Sequence, residues 1–371
     1  MSEPLRVAFA GVHRASSFFR AFQQHPDTRI VALCDVHGPT LAEAGKATGV
    51  DQLYQSYEEM LDTARPDAVV IATPMQFHAA QAIAALQRDI HVLSEVTACV
   101  GLDEARWLTQ ACAASRAVYM MAENYIYRKP VALVHALVQA GLFGEVYYAD
   151  GEYIHELSKL HRSAAGAPTW RYYWQVGVNG ATYPTHSLGP CLLWLGERPA
   201  RVSCVGTGQW TSPGGRPAGG MDDTVLLLCK TATEKLIRVR LDMLSRRPHA
   251  MTNYALQGTK GAFESARRPG EEHWVWLEDY CEDPDTWLPL SQFEAEFLPE
   301  IWRNPPAAAL QAGHGGGDYF EVMDFVAAAR GEKPPRIDIH WAMDMTLPGL
   351  VSQESIRQGG AWLEVPDSRA W

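Results

Sequence analysis

The sequence lacks the features that mark membrane, secreted and nucleic-acid-binding proteins. No apolar run approaches the roughly 20 residues that a membrane-spanning helix needs, and the N-terminus has no basic region followed by a long apolar segment and a cleavage site. The formal net charge is −11, and no basic block is present that could neutralise nucleic-acid phosphates. We therefore expect a cytoplasmic protein that acts on small molecules and binds neither membranes nor nucleic acid.

The chain also lacks a disulfide framework and a recognisable metal motif. Its 7 cysteines are odd in number and scattered, with no Cys-x-x-Cys pair, which is typical of reduced, buried thiols in the cytoplasm. His155-Glu156 is not the start of a helical zinc motif, because Lys159 stands where the second histidine is needed. We expect no catalytic metal.

The length and composition indicate two globular domains. With 371 residues, 47% of them hydrophobic and 20% charged, the chain is long enough to bury two cores. Alternating strands and helices run to about residue 124, and from Val146 onward strands follow one another without long helices between them. We therefore predict one domain over residues 1–124 and a second over residues 125–371.

The first domain begins with a strand, a tight turn and a helix. The apolar run 6–10 ends at Gly11, and helical spacing follows from Phe18. This is the context in which helix N-terminal amides bind a pyrophosphate. The glycine pattern G-x-G-x-x-G is incomplete, because His13 and Ser16 occupy the second and third glycine positions. We predict cofactor binding at this turn by Gly11, His13, Arg14 and Ser16.

Asp35 supports a dinucleotide at that turn. It ends the predicted strand 29–34, 24 residues after Gly11. A carboxylate there can accept hydrogen bonds from the adenosine ribose hydroxyls and would repel a 2′-phosphate, which favours NAD over NADP. Arg14 could still compensate a 2′-phosphate, and a strand-end aspartate could instead cap the next turn.

Polar residues follow the ends of the later strands in the same domain. They are Thr73, Pro74 and His78 after strand 68–72, Glu95 after strand 91–93, and Asn124 after strand 118–121. Alternating strands and helices predict an α/β Rossmann domain, a doubly wound parallel sheet that binds its ligand at the strands' carboxyl ends. These residues are therefore expected to face the cofactor; the alternative is that they cap helices.

The second domain reads as an α+β domain with a large, mostly antiparallel open sheet. Ile237, Val239 and Leu241 alternate with polar residues that include Asp242, so the sheet should have one buried and one wetter face. The wetter face could form a contact between subunits of a dimer or tetramer. The segment 270–306, rich in Glu, Asp, Trp and Pro, is interpreted as a surface excursion.

Tyr183 and His186 are the strongest candidates for catalysis. They lie three residues apart where a loop enters an apolar helical run, so both can project from one helical face. A phenol and an imidazole together can transfer protons, although they could also simply pack into a core. Trp170 and Arg171 lie in an aromatic cluster that suits stacking on sugar rings, or equally a core or interface.

These residues fall in an order and spacing that resembles the Gfo/Idh/MocA family of sugar-type oxidoreductases. The stretches that carry the resemblance are Asp35, the loop 72–78, Ser94-Glu95 and Glu123-Asn124. The resemblance covers essentially the whole chain. Most members carry Glu-Lys-Pro where this chain has Glu95-Val96-Thr97, so the family's usual proton-transfer lysine is absent.

A closer resemblance is to the branch that includes glycoside hydrolase family 109, whose members hold NAD and cleave glycosides by redox-assisted chemistry. It is carried by residues 94–96, 141–145, 151–157, 183–190 and 313–318. It implies catalytic roles for His186, Tyr183 and Tyr153. His155, His249 and His314 are assigned to the substrate side, together with Trp170 and Arg171.

Two departures from the hydrolase pattern affect that substrate side. The arginine of the motif Tyr-His-Asp-Leu-Arg is missing from the stretch 153–158, and His249 stands where the hydrolases tend to carry an aromatic residue. The resemblance implies hydride transfer at a sugar ring carbon, C3 by analogy, with NAD recycled in glycoside cleavage. A sugar or polyol dehydrogenase that releases NADH is the first alternative. A non-catalytic ligand sensor is the second.

Overall fold

A computed structural model describes residues 3–211, 219–244, 246–248 and 251–371. The chain forms two units: residues 1–124, 306–343 and 368–371 make up the first, and residues 125–305 and 344–367 the second. His249, assigned above to the substrate side, lies outside the described residues.

The described chain contains strands and helices of the following bounds. The strands are β1 (Leu5–Ala10), β2 (Thr28–Cys34), β3 (Leu53–Tyr54), β4 (Ala68–Ile71), β5 (His91–Glu95), β6 (Tyr119–Ala122), β7 (Val146–Ile154), β8 (Arg201–Gly206), β9 (Val225–Lys230), β10 (Leu236–Asp242), β11 (Met251–Gly258), β12 (Gly261–Glu264), β13 (Trp274–Leu277), β14 (Leu288–Pro289) and β15 (Leu363–Glu364). The α-helices are α1 (Val12–Gln24), α2 (Gly38–Thr48), α3 (Tyr57–Ala64), α4 (His78–Leu86), α5 (Leu102–Ala114), α6 (Lys129–Gln139), α7 (Trp170–Trp174), α8 (Thr185–Leu195), α9 (Glu294–Phe297), α10 (Glu300–Arg303), α11 (Ala307–Leu310), α12 (Gly317–Ala329) and α13 (Ile339–Arg357).

The first unit is built on a six-stranded parallel sheet of order β3-β2-β1-β4-β5-β6. The chain moves outward from β1 in one direction and then from β4 in the other. Right-handed crossovers then require helices on both faces of the sheet. The predicted doubly wound Rossmann sheet is confirmed.

The core of the first unit consists of the central strands and the helix that follows β1. Val7 and Phe9 of β1 are fully buried, as are all four residues of β4. Phe9 meets Phe19 and Phe22 of α1 edge to face at ring-centroid distances of 4.9 and 5.4 Å. Phe22 in turn contacts Phe325 of α12, so α1 is packed on two sides.

The second unit is built on a nine-stranded sheet of order β14-β13-β12-β11-β7-β10-β9-β8-β15, in which only β7 and β10 pair in parallel. Helix α8 packs against β7 and β11, and α6 packs against α8. Ile237, Val239 and Leu241 are fully buried, as their alternation predicts. The predicted large, mostly antiparallel sheet is confirmed.

Two expectations about this unit are wrong. The segment 270–306 contributes β13 and β14 to the sheet and is not only a surface excursion. Asp242 does not lie on a wet face but is 3% exposed. The turn after β10 folds over it, so its carboxylate accepts hydrogen bonds from Leu244 N at 3.1 Å and Thr224 Oγ1 at 2.9 Å.

The cysteines are free thiols, five of them buried and two, Cys112 and Cys281, half-buried. Within the described ranges, no helix has both the length and the apolarity to cross a bilayer.

Candidate active site

The turn between β1 and α1 brings the first amides of a helix to the carboxyl edge of the parallel sheet. Gly11 forms this turn with φ +79°. A Cβ at this position would lie 2.5 Å from Ala72 O, so both the backbone conformation and the space require glycine. The predicted role of Gly11 thus has a local physical basis, although the other two glycines of the motif are absent.

Asp35 lies at the end of β2 beside this turn. Its Oδ2 accepts a hydrogen bond from Val12 N at 3.1 Å, and its Oδ1 accepts one from His37 N at 2.9 Å. The carboxylate therefore caps the turn that follows β2, as the alternative interpretation stated, and it also holds the N-terminus of α1. Each oxygen has a second lone pair, so two acceptor sites are left for a ligand.

A buried histidine, His78, holds the loop after β4 through contacts with backbone carbonyls. His78 is 2% exposed, and its Nδ1 and Nε2 lie 2.8 Å from the carbonyl oxygens of Thr97 and Thr73. Burial lowers the pKa of His78, and the backbone acceptors oppose that shift only in part. His78 thus ties the loop containing Thr73 and Pro74 to the segment after β5.

An ion-pair network joins the remaining polar strand ends of the first unit. Arg14 Nη2 lies 2.5 Å from Glu95 Oε1, and its Nη1 lies 3.8 Å from Asp318 Oδ2. Asp318 Oδ1 accepts hydrogen bonds from Asn124 Nδ2 at 2.8 Å and His314 Nδ1 at 2.9 Å. Since an ionised carboxylate only accepts, His314 must carry its proton on Nδ1.

The pKa values of two carboxyl groups in and beside this network are shifted in opposite directions. Burial acts to raise the pKa of Asp318, but the hydrogen bond and charge of His314, with Arg14 and Asn124, outweigh it and the pKa is lowered. One helical turn further on, Glu321 is fully buried and neither of its carboxyl oxygens has a hydrogen-bond partner. Burial, followed by the charges of Asp318 and Glu95, raises the pKa of Glu321 well above its usual value.

The residues of the first unit fit a bound dinucleotide. The glycine turn leads directly into the N-terminus of α1, and helix N-termini bind phosphates through their amides and dipole. The spare lone pairs of Asp35 can accept from ribose hydroxyls. His13 and Ser16 are exposed on the first turns of α1, which leaves them accessible to a ligand.

A histidine and three tyrosines meet in the second unit. Tyr153 ends β7, Tyr183 precedes α8, and His186 lies in the first turn of α8. The His186 ring centroid lies 5.5 Å from that of Tyr153 and 5.4 Å from that of Tyr183, and the two phenols are 5.7 Å apart. Tyr125 approaches His186 more closely, at 4.4 Å. We call Tyr125, Tyr153, Tyr183 and His186 the aromatic tetrad.

Sequence reasoning missed two residues around His186. Tyr125 belongs to a short 3₁₀ helix, and Tyr254 of β11 donates from its hydroxyl to the His186 carbonyl at 2.6 Å. Tyr254 thus fixes the backbone of the first turn of α8. The only available signal for Tyr125 was its position directly after Asn124, and β11 carried none for Tyr254.

The other predicted substrate residues are distributed differently. The His155 ring centroid lies 5.5 Å from that of Tyr153, so His155 borders the tetrad. Trp170 and Arg171 of α7 stack on each other, with Arg171 Cζ 4.4 Å from the Trp170 ring centroid. In the described part of the chain, no ring contact or hydrogen bond joins that pair to the tetrad. His314 belongs to the Asp318 network of the first unit.

The tetrad can carry out acid–base chemistry on an alcohol. It combines one imidazole, a side chain that can act as a general base, with phenols that can donate and accept hydrogen bonds. His186 and Tyr153 are buried, at 6% and 4% exposure, and Tyr183 is half-buried. Val96, at the position of the missing lysine, is 3% exposed and has no polar atom in its side chain.

Three family models match parts of the chain, and the last two overlap over residues 219–264. Residues 5–123 match an oxidoreductase family with an NAD-binding Rossmann fold, and residues 131–264 match the GFO/IDH/MocA C-terminal domain. Residues 219–370 match the C-terminal domain of glycosyl hydrolase 109.

Curated relatives and solved structures agree with these matches. A glycosyl hydrolase family 109 protein of Stenotrophomonas maltophilia (strain K279a) is 27% identical over 413 residues, covering 99% of this chain and 89% of the relative. An alpha-N-acetylgalactosaminidase of Tannerella forsythia is 27% identical over 383 residues, covering 91% and 80%. A levoglucosan dehydrogenase solved with NADH and L-sorbose has a TM-score of 0.82 at 22% identity, covering 98% and 100%, which shows a shared fold.

Proposed function

The chain belongs to the Gfo/Idh/MocA family of NAD-dependent oxidoreductases, and we propose that it removes a hydride from a ring carbon of a carbohydrate or glycoside. The observation that carries this proposal is the tetrad, where His186 lies against Tyr153 and Tyr183 with all three ring centroids within 5.7 Å of one another. That grouping supplies a base and two phenols for a sugar hydroxyl.

In this proposal His186 accepts the proton of the hydroxyl at the carbon that is oxidised. Loss of that proton turns the C–O bond into a carbonyl as the hydride leaves, so the base and the hydride acceptor must act on the same carbon. Tyr183 or Tyr153 hydrogen-bonds the oxygen and holds it beside the imidazole. NAD, when bound by the first unit, supplies the hydride acceptor.

We further propose that the substrate is a glycoside and that oxidation at C3 leads to its cleavage. A C3 carbonyl acidifies the C2–H bond, so a base can remove that proton while the C1–O bond breaks and the aglycone leaves. Water then adds across C1=C2, and return of the hydride to C3 restores the sugar hydroxyl. No net oxidant is consumed. The match to the glycosyl hydrolase 109 C-terminal domain supports this cycle.

NAD is the proposed cofactor in preference to NADP. A carboxylate at the end of β2, here Asp35, would repel a 2′-phosphate, which supports this choice. The Arg14 guanidinium, which could have compensated that charge, lies against the Glu95 and Asp318 carboxylates. A test is to titrate the protein with NADH and NADPH and follow nucleotide fluorescence, with at least tenfold tighter binding of NADH expected.

The reaction is tested by incubating the protein with NAD and a panel of aryl glycosides and free sugars. Release of the aryl group without net NADH is the expected result. Accumulation of NADH would instead assign a sugar or polyol dehydrogenase. Neither product, together with no bound NAD after purification, would leave a non-catalytic ligand sensor, the function that the incomplete glycine loop would favour.

The open face of the second sheet is the proposed contact between copies of the chain. It carries ordered ion pairs, with Arg238 forked onto Asp150 at 2.7 and 2.9 Å and Arg267 bound to Glu152 at 2.9 Å. Light scattering coupled to size exclusion should report a dimer or tetramer. A strictly monomeric mass at micromolar concentration would contradict this part of the proposal.

A further inference from the structure

A cavity of about 370 Å³ opens in the second unit, next to the aromatic tetrad. Two of its lining residues connect it to that cluster. Arg128 Cζ lies 5.2 Å from the ring centroid of Tyr125, and the hydroxyl of Tyr254 donates to the His186 carbonyl. Its size falls within the range of small-molecule pockets. The cavity therefore shares its wall with residues that contact the tetrad.

The wall of the cavity is positively charged in a protein whose formal net charge is −11. Arg128, Arg267 and Arg268 line it together with Glu271, and the charge of Arg267 is offset by Glu152. Arg267 is bound to Glu152 at 2.9 Å, and Arg268 lies 3.6 Å from Glu271 with its side chain 82% exposed. A protein with a negative net charge repels anions on average, but a cavity lined by arginines attracts them locally.

Most N–H donors of Arg128 are not used in hydrogen bonds or ion pairs within the described part of the protein. Its guanidinium donates one hydrogen bond, from Nη1 to Thr252 Oγ1 at 3.1 Å, and stacks on Tyr125. Among the residues that the structure describes, no carboxylate lies within ion-pair distance of it. A guanidinium has five N–H donors in a planar fork that matches a carboxylate or a phosphate. Arg128 thus remains able to bind an anion.

His273 and Ser265 add neutral donors to the same wall. Ala266 N donates to His273 Nδ1 at 3.1 Å, so the proton of the neutral ring must sit on Nε2. Burial lowers the pKa of His273, and the charge of Arg128 adds to that shift against the opposing charge of Glu272. The imidazole therefore stays neutral at pH 7 and keeps one N–H donor. Neutral donors beside a guanidinium are common at anion sites.

We infer that this cavity binds a carboxylate or phosphate group carried by the carbohydrate substrate, with Arg128 as its principal ligand. This inference rests on the proposed function for the carbohydrate part of the ligand. It goes beyond that function by making the preferred substrate an anionic sugar, such as a uronate or a sugar phosphate. Discrimination against the neutral sugar would then come from the cavity, while the tetrad performs the chemistry.

The test is a calorimetric titration of the whole protein, with and without saturating NAD, at constant ionic strength. The probes are inorganic phosphate and two matched series: glucose, glucuronate and glucose 6-phosphate, and galactose, galacturonate and galactose 6-phosphate. At least one anionic sugar is expected to bind about tenfold or more tightly than its neutral parent. The uronate and phosphate members show which anion the cavity prefers.

Three variants assign the effect to the cavity. Arg128→Gln should reduce the anionic-to-neutral preference about tenfold, and Arg128→Lys should restore part of it because the charge returns without the fork. Arg268→Gln, on a largely exposed side chain, should reduce the preference about threefold and cannot act by unfolding. Arg20→Gln, an exposed arginine of α1, is the matched control and should change nothing.

The inference is overturned if wild type binds neither phosphate nor any anionic sugar better than the neutral sugars. It is equally overturned if the preference survives both Arg128→Gln and Arg268→Gln. These binding results need no turnover, so they stay separate from the test of the reaction. If the protein bound anions in an Arg128-dependent way but showed no activity on the sugar panel, the proposed function would be wrong and the anion site would still be supported.

Discussion

Replacing Gly11 by alanine tests the physical basis of the cofactor turn. At φ +79° an alanine loses about 1–2 kcal/mol of backbone energy. Its Cβ would also lie 2.5 Å from Ala72 O and 2.6 Å from Thr73 N, and relieving such overlap adds about 1–3 kcal/mol. The total loss of unfolding free energy is about 2–5 kcal/mol.

Gly49 offers a matched control in the same unit. It ends α2 with φ +72°, and no atom lies within 4 Å of a Cβ built there. Gly49→Ala therefore carries the backbone cost of about 1–2 kcal/mol without the overlap. The difference between the two variants measures the close approach of β1 to the loop after β4.

Thermal unfolding and NADH fluorescence titration provide the two readouts. Gly11→Ala should lower the Tm at least twice as much as Gly49→Ala and raise the Kd for NADH about tenfold or more, because the shifted turn moves the first amides of α1. Gly49→Ala should leave the Kd unchanged. Equal Tm losses together with unchanged NADH binding in both variants would refute the account of this turn.

Three further predictions concern buried polar groups. Tyr254→Phe removes the hydroxyl that donates to the His186 carbonyl, and we expect the unfolding free energy in urea titrations to fall by about 1–3 kcal/mol. The effect on kcat should be larger than the effect on KM. An unchanged kcat would show that Tyr254 does not position His186. For Glu321, the folded-state pKa is raised, so the unfolded chain releases this proton first and stability falls as pH rises above about 4.3. The unfolding free energy of Glu321→Gln should therefore rise relative to that of wild type between pH 5 and 8, by at most about 1.4 kcal/mol per pH unit. Urea titrations at several pH values measure this difference, and a difference that does not change with pH would contradict the prediction. Arg14→Gln removes the cation beside the carboxylates of Glu95 and Asp318. We expect the unfolding free energy to fall by about 1–3 kcal/mol, less than for a fully buried ion pair because Arg14 is partly exposed. Arg29→Gln, on an exposed arginine of β2, is the control and should lower the unfolding free energy by less than about 0.5 kcal/mol.

The first unit was largely predictable because its signals are local. Short apolar strands alternate with helical spacing, so the strand ends could be placed, and the edge of a parallel sheet collects those ends. Asp35, Glu95 and Asn124 were predictable at that edge because each lies at or just after the end of a strand. Local signals could not show that Asp318 and His314, about 190 residues after Asn124, join the same network.

The second unit was harder because its sheet depends on long-range pairing. The spacing of Tyr183 and His186 predicted that both project from one helical face, but Tyr183 lies in the loop before α8. The two rings still meet, with centroids 5.4 Å apart, and the resemblance added Tyr153. Tyr254 reaches His186 only because β11 pairs with β7, a register that no local pattern encodes. Asp242 was misplaced for the same reason, since period-two alternation holds only until the strand ends and a turn covers its last residue.

The central claim is that His186 is the base of the reaction, and one comparison tests it most directly. Wild type and His186→Ala are assayed side by side on the best substrate of the glycoside panel, with the Kd for NADH measured on the same preparations. We predict that kcat/KM falls by about 10² to 10⁴ while the Kd for NADH changes less than twofold. A His186→Ala protein that keeps full activity would contradict the account.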